Sequence, residues 1–190
     1  MSTTGIVILV VAVVLIAAGS IFIFQRQRTK RLRAKFGPEY DRAIETEGNR
    51  LKAEQTLAKR EKRVKNYQIR PLQAVHCERF RQSWRDVQGG FVDDPKTALT
   101  EADRLVQEVM RARGYPIDDF EQCAADLSVD HPVIVENYRA GHAVAERHGR
   151  GQATTEDLRR AMIYYRTLFD DLLEEAPVPE EPMRVKRARA

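Results

Sequence analysis

The amino-acid sequence predicts an all-α protein with one N-terminal transmembrane helix, a basic helical stalk and a small soluble helical bundle. An uncharged apolar stretch near the N-terminus indicates the transmembrane helix, and a dense run of Lys and Arg after it indicates the stalk. Beyond the stalk, apolar residues recur at helical spacing and strand signals are nearly absent. We therefore divide the chain into an N-terminal segment with its transmembrane helix (1–24), the stalk (25–70), the soluble domain (71–176) and a disordered tail (177–190).

The first element is the stretch "GIVILVVAVVLIAAGSIFIF", residues 5–24, which has no charged residue and only one polar side chain, that of Ser20. As a helix it would be about 30 Å long, which matches the hydrocarbon core of a bilayer. A surface helix of a soluble domain would show a polar face, and this stretch has none. The sequence therefore predicts a single membrane-spanning helix.

An exported protein with a cleaved leader is the alternative, because Ala17, Ala18 and Gly19 resemble the cleavage site of a signal peptide. Three features favour a retained helix. The segment "MSTT" lacks the positive charge that precedes most leaders, the apolar run resumes as "IFIF", and the charges beyond it resist translocation.

The basic residues after Phe24 predict the orientation of the chain. Lys and Arg close to a membrane span favour the cytoplasmic side, so we expect the N-terminus outside and the domain in the cytoplasm of a cell-membrane protein. Because these residues would lie within reach of the bilayer surface, we also expect them to contact the headgroups of anionic lipid. They are Arg26, Arg28, Lys30, Arg31, Arg33 and Lys35.

The stalk is predicted to contain two helices, because Gly37 favours the end of one helix and Pro38 the start of the next. The second helix is expected to cover residues 39–66. Its apolar positions recur about every seven residues, which is too weak a seam for a coiled coil. Pairs at helical spacing are expected between Glu61 and Lys65, Glu39 and Arg42, and Glu47 and Arg50; the seam consists of Ile44, Leu51, Leu57 or Ala58, and Val64.

The segment "KREKRVK" at 59–65 allows three interpretations. We do not expect nucleic acid as a partner, because no aromatic residues are interleaved with these charges. The segment could instead pack on the following domain, because residues 25–66 carry 14 Lys or Arg against 6 acids, whereas residues 67–183 carry 14 against 22. We expect a third possibility, a solvated spacer helix that packs partly on its neighbours, since charged helices commonly face water.

Five helices are predicted in the soluble domain. The first carries the apolar stripe from Leu72 to Phe91 and ends or bends at Gly89 and Gly90. The second begins at Asp94 and Pro95 and ends at Gly114, and a short third one covers about 118–127. The fourth is expected to begin with Asp130 or His131 as its cap and to run to Arg147.

The fifth helix has the clearest period. Thr154 and Asp157 resemble a capping box at its start. We expect the aromatic residues of the domain to pack in its core, with Tyr164 as the better candidate for an exposed contact. The stripe of the fifth helix consists of Leu158, Ala161, Met162, Tyr165, Leu168, Phe169 and Leu172.

No motif for nucleotide binding, metal binding or serine-esterase chemistry occurs in the sequence. We therefore expect a protein that is not an enzyme, without catalytic residues, cofactor or metal. Cys77 and Cys123 are expected to be free thiols in the core. An enzyme of unrecognised type is the alternative, and its least implausible polar cluster is Asp130, Glu136, His142 and Glu146.

Three stretches of the chain are distinctive: "KFGPEYDRA" at 35–43, "DFEQCAADLSVDHPVIVENYRAGHA" at 119–143 and "TEDLRRAMIYYRTLFDDLL" at 155–173. They resemble a family of small bacterial single-span membrane proteins, often labelled hypothetical, membrane or secreted proteins. The resemblance implies an apolar N-terminal segment, a charged stretch and a helical domain, but no catalytic residues, because the family is uncharacterised. The charges after Phe24 disagree with the label "secreted". The expected function is a non-enzymatic domain that is tethered to the membrane and binds an unknown protein partner.

Overall fold

The structure is a computed structural model that describes residues 3–174, apart from the side chains of residues 3–11, 14 and 21. Its regular elements within that range are all helices, which confirms the all-α prediction. The predicted tail, 177–190, lies outside the described residues. The helices are α1 (Thr3–Phe36), α2 (Pro38–Glu47), α3 (Arg50–Val64), α4 (Ala74–Gly90), α5 (Pro95–Arg113), α6 (Phe120–Asp130), α7 (Val135–Gly149) and α8 (Thr155–Glu174).

Helix α1 contains both the predicted span and the first part of the stalk in one continuous helix of 34 residues. It ends at Phe36 before Gly37, and Pro38 opens α2, as predicted. In the part of the chain that the structure describes, none of the helices combines the length and the apolarity needed to cross a membrane. The transmembrane role of residues 5–24 stays a prediction, and several of their side chains lie outside the described residues.

The prediction of one helix over 39–66 is wrong, because the chain turns at Gly48 and Asn49 to form a helical hairpin. Gly48 has a φ of 64° and ends α2 in the left-handed conformation that glycine readily adopts. The Asn49 side chain then accepts hydrogen bonds from the backbone N–H groups of Leu51 and Lys52 and caps α3. The turn also breaks the predicted apolar seam, because Leu51 is exposed whereas Leu57 and Val64 are buried.

The apolar stripes predicted for the soluble domain form its core. Helix α8 packs against α5 and α7, and α4 packs against α5. Every residue of the stripe predicted for the last helix is buried. Cys77 and Cys123 are also buried free thiols, as expected. The large side chains in this core include those of Phe80, Trp84, Leu99, Val106, Met110, Leu127, Tyr138, Tyr165 and Phe169.

Most of the helix ends in the domain follow the local capping signals. The Asp94 side chain accepts from the backbone of Lys96 and Thr97 at the start of α5, and Gly114 ends that helix with a φ of 101°. Thr154 and Asp157 form the predicted capping box, with backbone-to-side-chain bonds of 3.0 and 3.2 Å. The predicted start of the fourth helix is wrong, because α7 begins at Val135 and the residues chosen as its cap close α6 instead.

The stalk has a hydrophobic cluster of its own. Side chains of α1, α2 and α3 pack together and against Val129 of α6. Segment 59–65 packs on its neighbours through one face, where Glu61 and Val64 are buried, whereas Lys59, Lys62 and Lys65 are exposed. The physical reason is that one face of α3 is apolar enough to be removed from water. The cluster consists of Leu32, Phe36, Tyr40, Ala43, Ala53, Leu57, Val64 and Val129.

Candidate functional site

A buried charge cluster lies where the stalk meets the domain. The carboxylate of Glu39, on α2, is 1% exposed. Arg60 of α3 donates to its Oε1 at 2.7 Å, and Arg139 of α7 binds both of its oxygens at 2.7 and 3.0 Å. Arg139 also donates to Glu136 at 2.9 Å, and Glu136 accepts from Arg42 at 3.3 Å. This cluster ties two stalk helices to the soluble domain.

A second buried carboxylate, that of Asp126 on α6, joins the end of α3 to the domain. Arg63 binds its Oδ1 through two nitrogens, with the Nε at 2.7 Å, and the Tyr67 hydroxyl donates to its Oδ2 at 2.9 Å. Charge-assisted bonds with two donor nitrogens are geometrically specific. The basic stalk and the acidic domain therefore meet through particular buried groups, and not only through their net charges.

Ionisation of Glu39 depends on this arrangement. Burial alone would raise the pKa of Glu39, but the hydrogen bonds and charges of Arg139 and Arg60 outweigh that effect and hold the pKa below 4.5. Burial also raises the pKa of the Tyr67 hydroxyl, and its bond to Asp126 adds to the increase. Glu39 is thus a charged acceptor near neutral pH, whereas Tyr67 is a neutral donor.

Of the six basic residues predicted to contact lipid, four bind groups of the α2–α3 hairpin and two are exposed to solvent. Arg31 and Lys35 both bind Glu61, at 2.7 and 3.4 Å. Arg33 pairs with Asp41 at 3.3 Å, and Arg28 donates to the backbone oxygen of Glu54 at 3.3 Å. The remaining two, Arg26 and Lys30, are exposed. These contacts leave their role toward lipid a prediction.

The polar cluster of the alternative enzyme is only partly assembled. His142 and Glu146 lie 3.8 Å apart, as their spacing on α7 predicts, and both line an open groove of about 410 Å³ with Arg42 and Arg139. His142 also stacks on Phe120 with ring centroids 3.6 Å apart. Asp130 does not line this groove. Among the described residues, no group of His, Cys, Asp and Glu could hold a metal ion.

A smaller groove between α4 and α8 has a different character. It has a volume of about 230 Å³, and most of its lining is apolar. Trp84 stacks on Phe169 at 4.8 Å between ring centroids, and its indole N–H is buried without a hydrogen-bond partner. Arg159 and Arg166 lie at the rim, beside the exposed side chain of Ile163. The groove is lined by Trp84, Gln88, Phe91, Arg159, Met162, Ile163 and Arg166.

Sequence reasoning assigned the aromatic residues to the core, and this holds for Trp84, which is buried. It missed that one edge of the same residue lines a groove. It also selected Tyr164 as the exposed contact of α8, but Tyr164 is half-buried and its neighbour Ile163 is the exposed apolar residue. The sequence does contain a signal for this exposed contact: Ile163 is an apolar residue that lies just outside the apolar stripe of α8.

Comparisons with known proteins give no relative: no family model, curated protein or solved structure matches the chain. No residue role is therefore transferred to this chain from another protein. The resemblance described from the sequence stays an expectation.

Replacing Glu39 with Gln tests the buried cluster. We expect Glu39→Gln to lower the free energy of unfolding by about 3 kcal/mol near neutral pH, because Arg60 loses its carboxylate partner and Arg139 keeps only the more exposed Glu136. The matched variant Glu45→Gln changes an exposed carboxylate on the same helix and should change it by less than about 0.5 kcal/mol. Urea denaturation followed by circular dichroism measures both values.

The pH dependence of the free energy of unfolding tests whether the charge of Glu39 is the cause of the lost stability. A carboxyl group whose pKa is lowered by folding stabilises the protein above its unfolded pKa, and this contribution is lost as the pH falls through the folded value. The difference in stability between wild type and Glu39→Gln should therefore shrink as the pH falls below 4.5. A difference that stays constant down to the acid limit would contradict the electrostatic explanation.

Proposed function

We propose that this chain is a non-enzymatic, single-span protein of the bacterial cell membrane whose helical domain binds another protein in the cytoplasm. In this proposal, residues 5–24 cross the bilayer with the N-terminus outside. The basic residues after the span hold its cytoplasmic end at anionic lipid. The proposal combines the sequence pattern with the way in which α1 joins the domain.

The observation that carries the proposal is the continuity of α1. Its first part contains the uncharged stretch, and its last part packs in the stalk cluster, where Leu32 and Phe36 are fully buried. An anchor of this kind would transmit its position to the domain without a flexible linker.

The exposed apolar side chains of α1 support an environment other than water. A soluble monomer rarely exposes a contiguous apolar patch larger than a few hundred Å². Neighbouring apolar residues on α1 have no covering element in the described structure and would be covered by lipid. They are Val13, Leu15, Ile16, Phe22, Ile23 and Phe24.

The groove between α4 and α8 supports protein binding. Its volume suits one apolar side chain, and aromatic residues in well-packed pockets often dominate the binding energy of interfaces. Arg159 and Arg166 at the rim pair with Glu156 and Asp170 of the same helix, and their exposed guanidinium groups would also favour acidic residues beside that side chain. The partner that this groove fits is a protein segment with one apolar anchor flanked by Asp or Glu.

The topology can be tested by cysteine labelling in cells. The native thiols should give little background labelling because both are buried, and burial raises the pKa of Cys123 to about 12. We expect Ser2→Cys to react with a membrane-impermeant maleimide in intact cells. Val92→Cys, at a position that is 86% exposed in the domain, should react only after the membrane is opened.

The wild-type chain is the control for this experiment and should stay unlabelled until it is unfolded. Labelling of Val92→Cys in intact cells would contradict the cytoplasmic position of the domain. Release of the protein from membranes by alkaline carbonate would contradict the anchor. Loss of the N-terminal residues, measured by the mass of the extracted chain, would instead support the exported form.

Partner binding can be tested with a photo-crosslinking amino acid in place of Ile163 in the full-length protein. We expect a discrete crosslinked product in cells from position 163 but none from Val133, an exposed apolar position away from the groove. Because the rim charges are expected to select the partner, Arg159→Glu with Arg166→Glu should remove the product. Equal products from both positions, or a product that survives the charge reversal, would contradict binding in this groove.

A further inference from the structure

The α2–α3 hairpin lies alongside α1, and hydrogen bonds define its register. Thr29 donates to Glu54 at 2.7 Å, Arg28 donates to the backbone oxygen of the same residue, and Lys35 lies 3.4 Å from Glu61. Positions about 26 apart therefore lie side by side, which means that α3 runs in the same direction as α1 and that α2 runs back. The turn of the hairpin consequently points toward the N-terminal half of α1.

The tip of the hairpin, which we define as residues 47–52, lies at the level where the apolar stretch of α1 ends. Leu51 is apolar but 57% exposed, and Arg50 and Lys52 on either side of it are also exposed. An open cavity of about 560 Å³ separates the tip from α1. Its lining combines both elements: Ser20, Phe24, Gln25, Arg28, Arg50, Leu51 and Glu54.

We propose that the tip is a second membrane contact: Leu51 inserts at the bilayer surface, and Arg50 and Lys52 bind the phosphates of anionic lipid. This inference rests on the proposed function, in which residues 5–24 cross the membrane. If the hydrocarbon core ends near Phe24, the register places Leu51 within about one helical turn of that boundary. The headgroup layer is about 6 Å thick, so the tip lies inside it.

The charges around the tip suit an anionic surface. Arg26, Lys30, Arg50 and Lys52 are exposed basic residues of the two neighbouring elements. Two nearby acids are engaged inside the protein. The Glu54 carboxylate is buried, accepts from Thr29 and Tyr40, and lies 3.6 Å from Arg50, whose side chain is 64% exposed.

The Glu47 carboxylate accepts a hydrogen bond from the Thr56 hydroxyl at 2.9 Å. Glu45 on α2 is exposed. Cations therefore outnumber free carboxylates at this level of the molecule. A basic face with one exposed apolar side chain is the pattern of an interfacial membrane contact. The bilayer would cover Leu51 and the opening of the cavity together.

A contact at the tip would orient the domain. A single helix leaves a protein free to tilt and to turn about the axis of that helix, because both are set by packing and by anchors at the interface. A second contact, offset to one side of α1, restricts both motions. The groove between α4 and α8 would then face a defined direction relative to the membrane.

The full-length protein in lipid vesicles tests this inference. An environment-sensitive fluorophore would be attached to Leu51→Cys, to Ile16→Cys in α1 and to Val133→Cys in the domain, all exposed positions. Vesicles of phosphatidylcholine with phosphatidylglycerol would carry brominated acyl chains, which quench fluorophores in contact with lipid. We expect loss of emission at positions 16 and 51 and none at position 133.

A charge reversal at the tip separates this contact from the anchor. Arg50→Glu with Lys52→Glu should reduce quenching at position 51 to the level of position 133 and leave position 16 unchanged. The matched variant Lys59→Glu with Lys62→Glu, at exposed positions farther along α3, should change neither.

The outcomes distinguish the two proposals. Quenching at position 16 without quenching at position 51 would overturn the second contact and leave the anchor intact. No quenching at position 16 would overturn the anchor, and the inference that rests on it as well. Quenching at position 51 that persists after the charge reversal would contradict the role of the two basic residues.

Discussion

The arrangement of this molecule depends on one buried carboxylate, that of Glu39. Guanidinium groups from α3 and α7 bind it, although it belongs to α2, so three helices meet at one charge. A buried charge that lacks a partner is strongly destabilising, which means that these helices reach low free energy only where all three groups meet. Asp126 acts in the same way at the far end of α3. The stalk is therefore held in a specific position on the domain.

This position joins α1 to the domain through packed and hydrogen-bonded contacts. The end of α1 is buried in the stalk cluster, the hairpin packs beside α1, and the two carboxylates join the hairpin to the domain. In the function that we propose, this arrangement fixes the position of the groove between α4 and α8 relative to α1.

The parts of the fold that depend on local signals could be predicted from the sequence. Helix α8 has a clear apolar period and a capping box, and α5 has a cap at Asp94 and a stop at Gly114. The hairpin turn was missed although Gly48 and Asn49 are ordinary helix-end residues, because charged side chains on both sides suggested one continuous helix. The late start of α7 was missed because its first residues lack a side-chain cap.

The site could be predicted only in part, because its groups come from distant positions in the chain. Glu39 was expected to pair with Arg42, three residues away, but it binds Arg139, 100 residues away. The pairing of Glu39 with Arg139 depends on burial, because an ion pair is stronger inside a protein than in water. The spacing of residues along the sequence does not reveal which groups are buried. The groove beside Trp84 likewise exists only because α4 and α8 pack together. In contrast, the pair of His142 and Glu146 was predictable because both lie on one face of α7.

The most direct test of this account is the distance between the anchor helix and the domain. Spin labels at Gln25→Cys and Val133→Cys, both exposed positions, would be measured by pulsed electron paramagnetic resonance in the full-length protein in vesicles. The account predicts one narrow distance distribution in the wild-type background and a broad one in Glu39→Gln, whereas Glu45→Gln should keep the narrow distribution. A broad distribution in the wild-type background, or an unchanged one in Glu39→Gln, would contradict the claim that the buried carboxylate holds the anchor and the domain together.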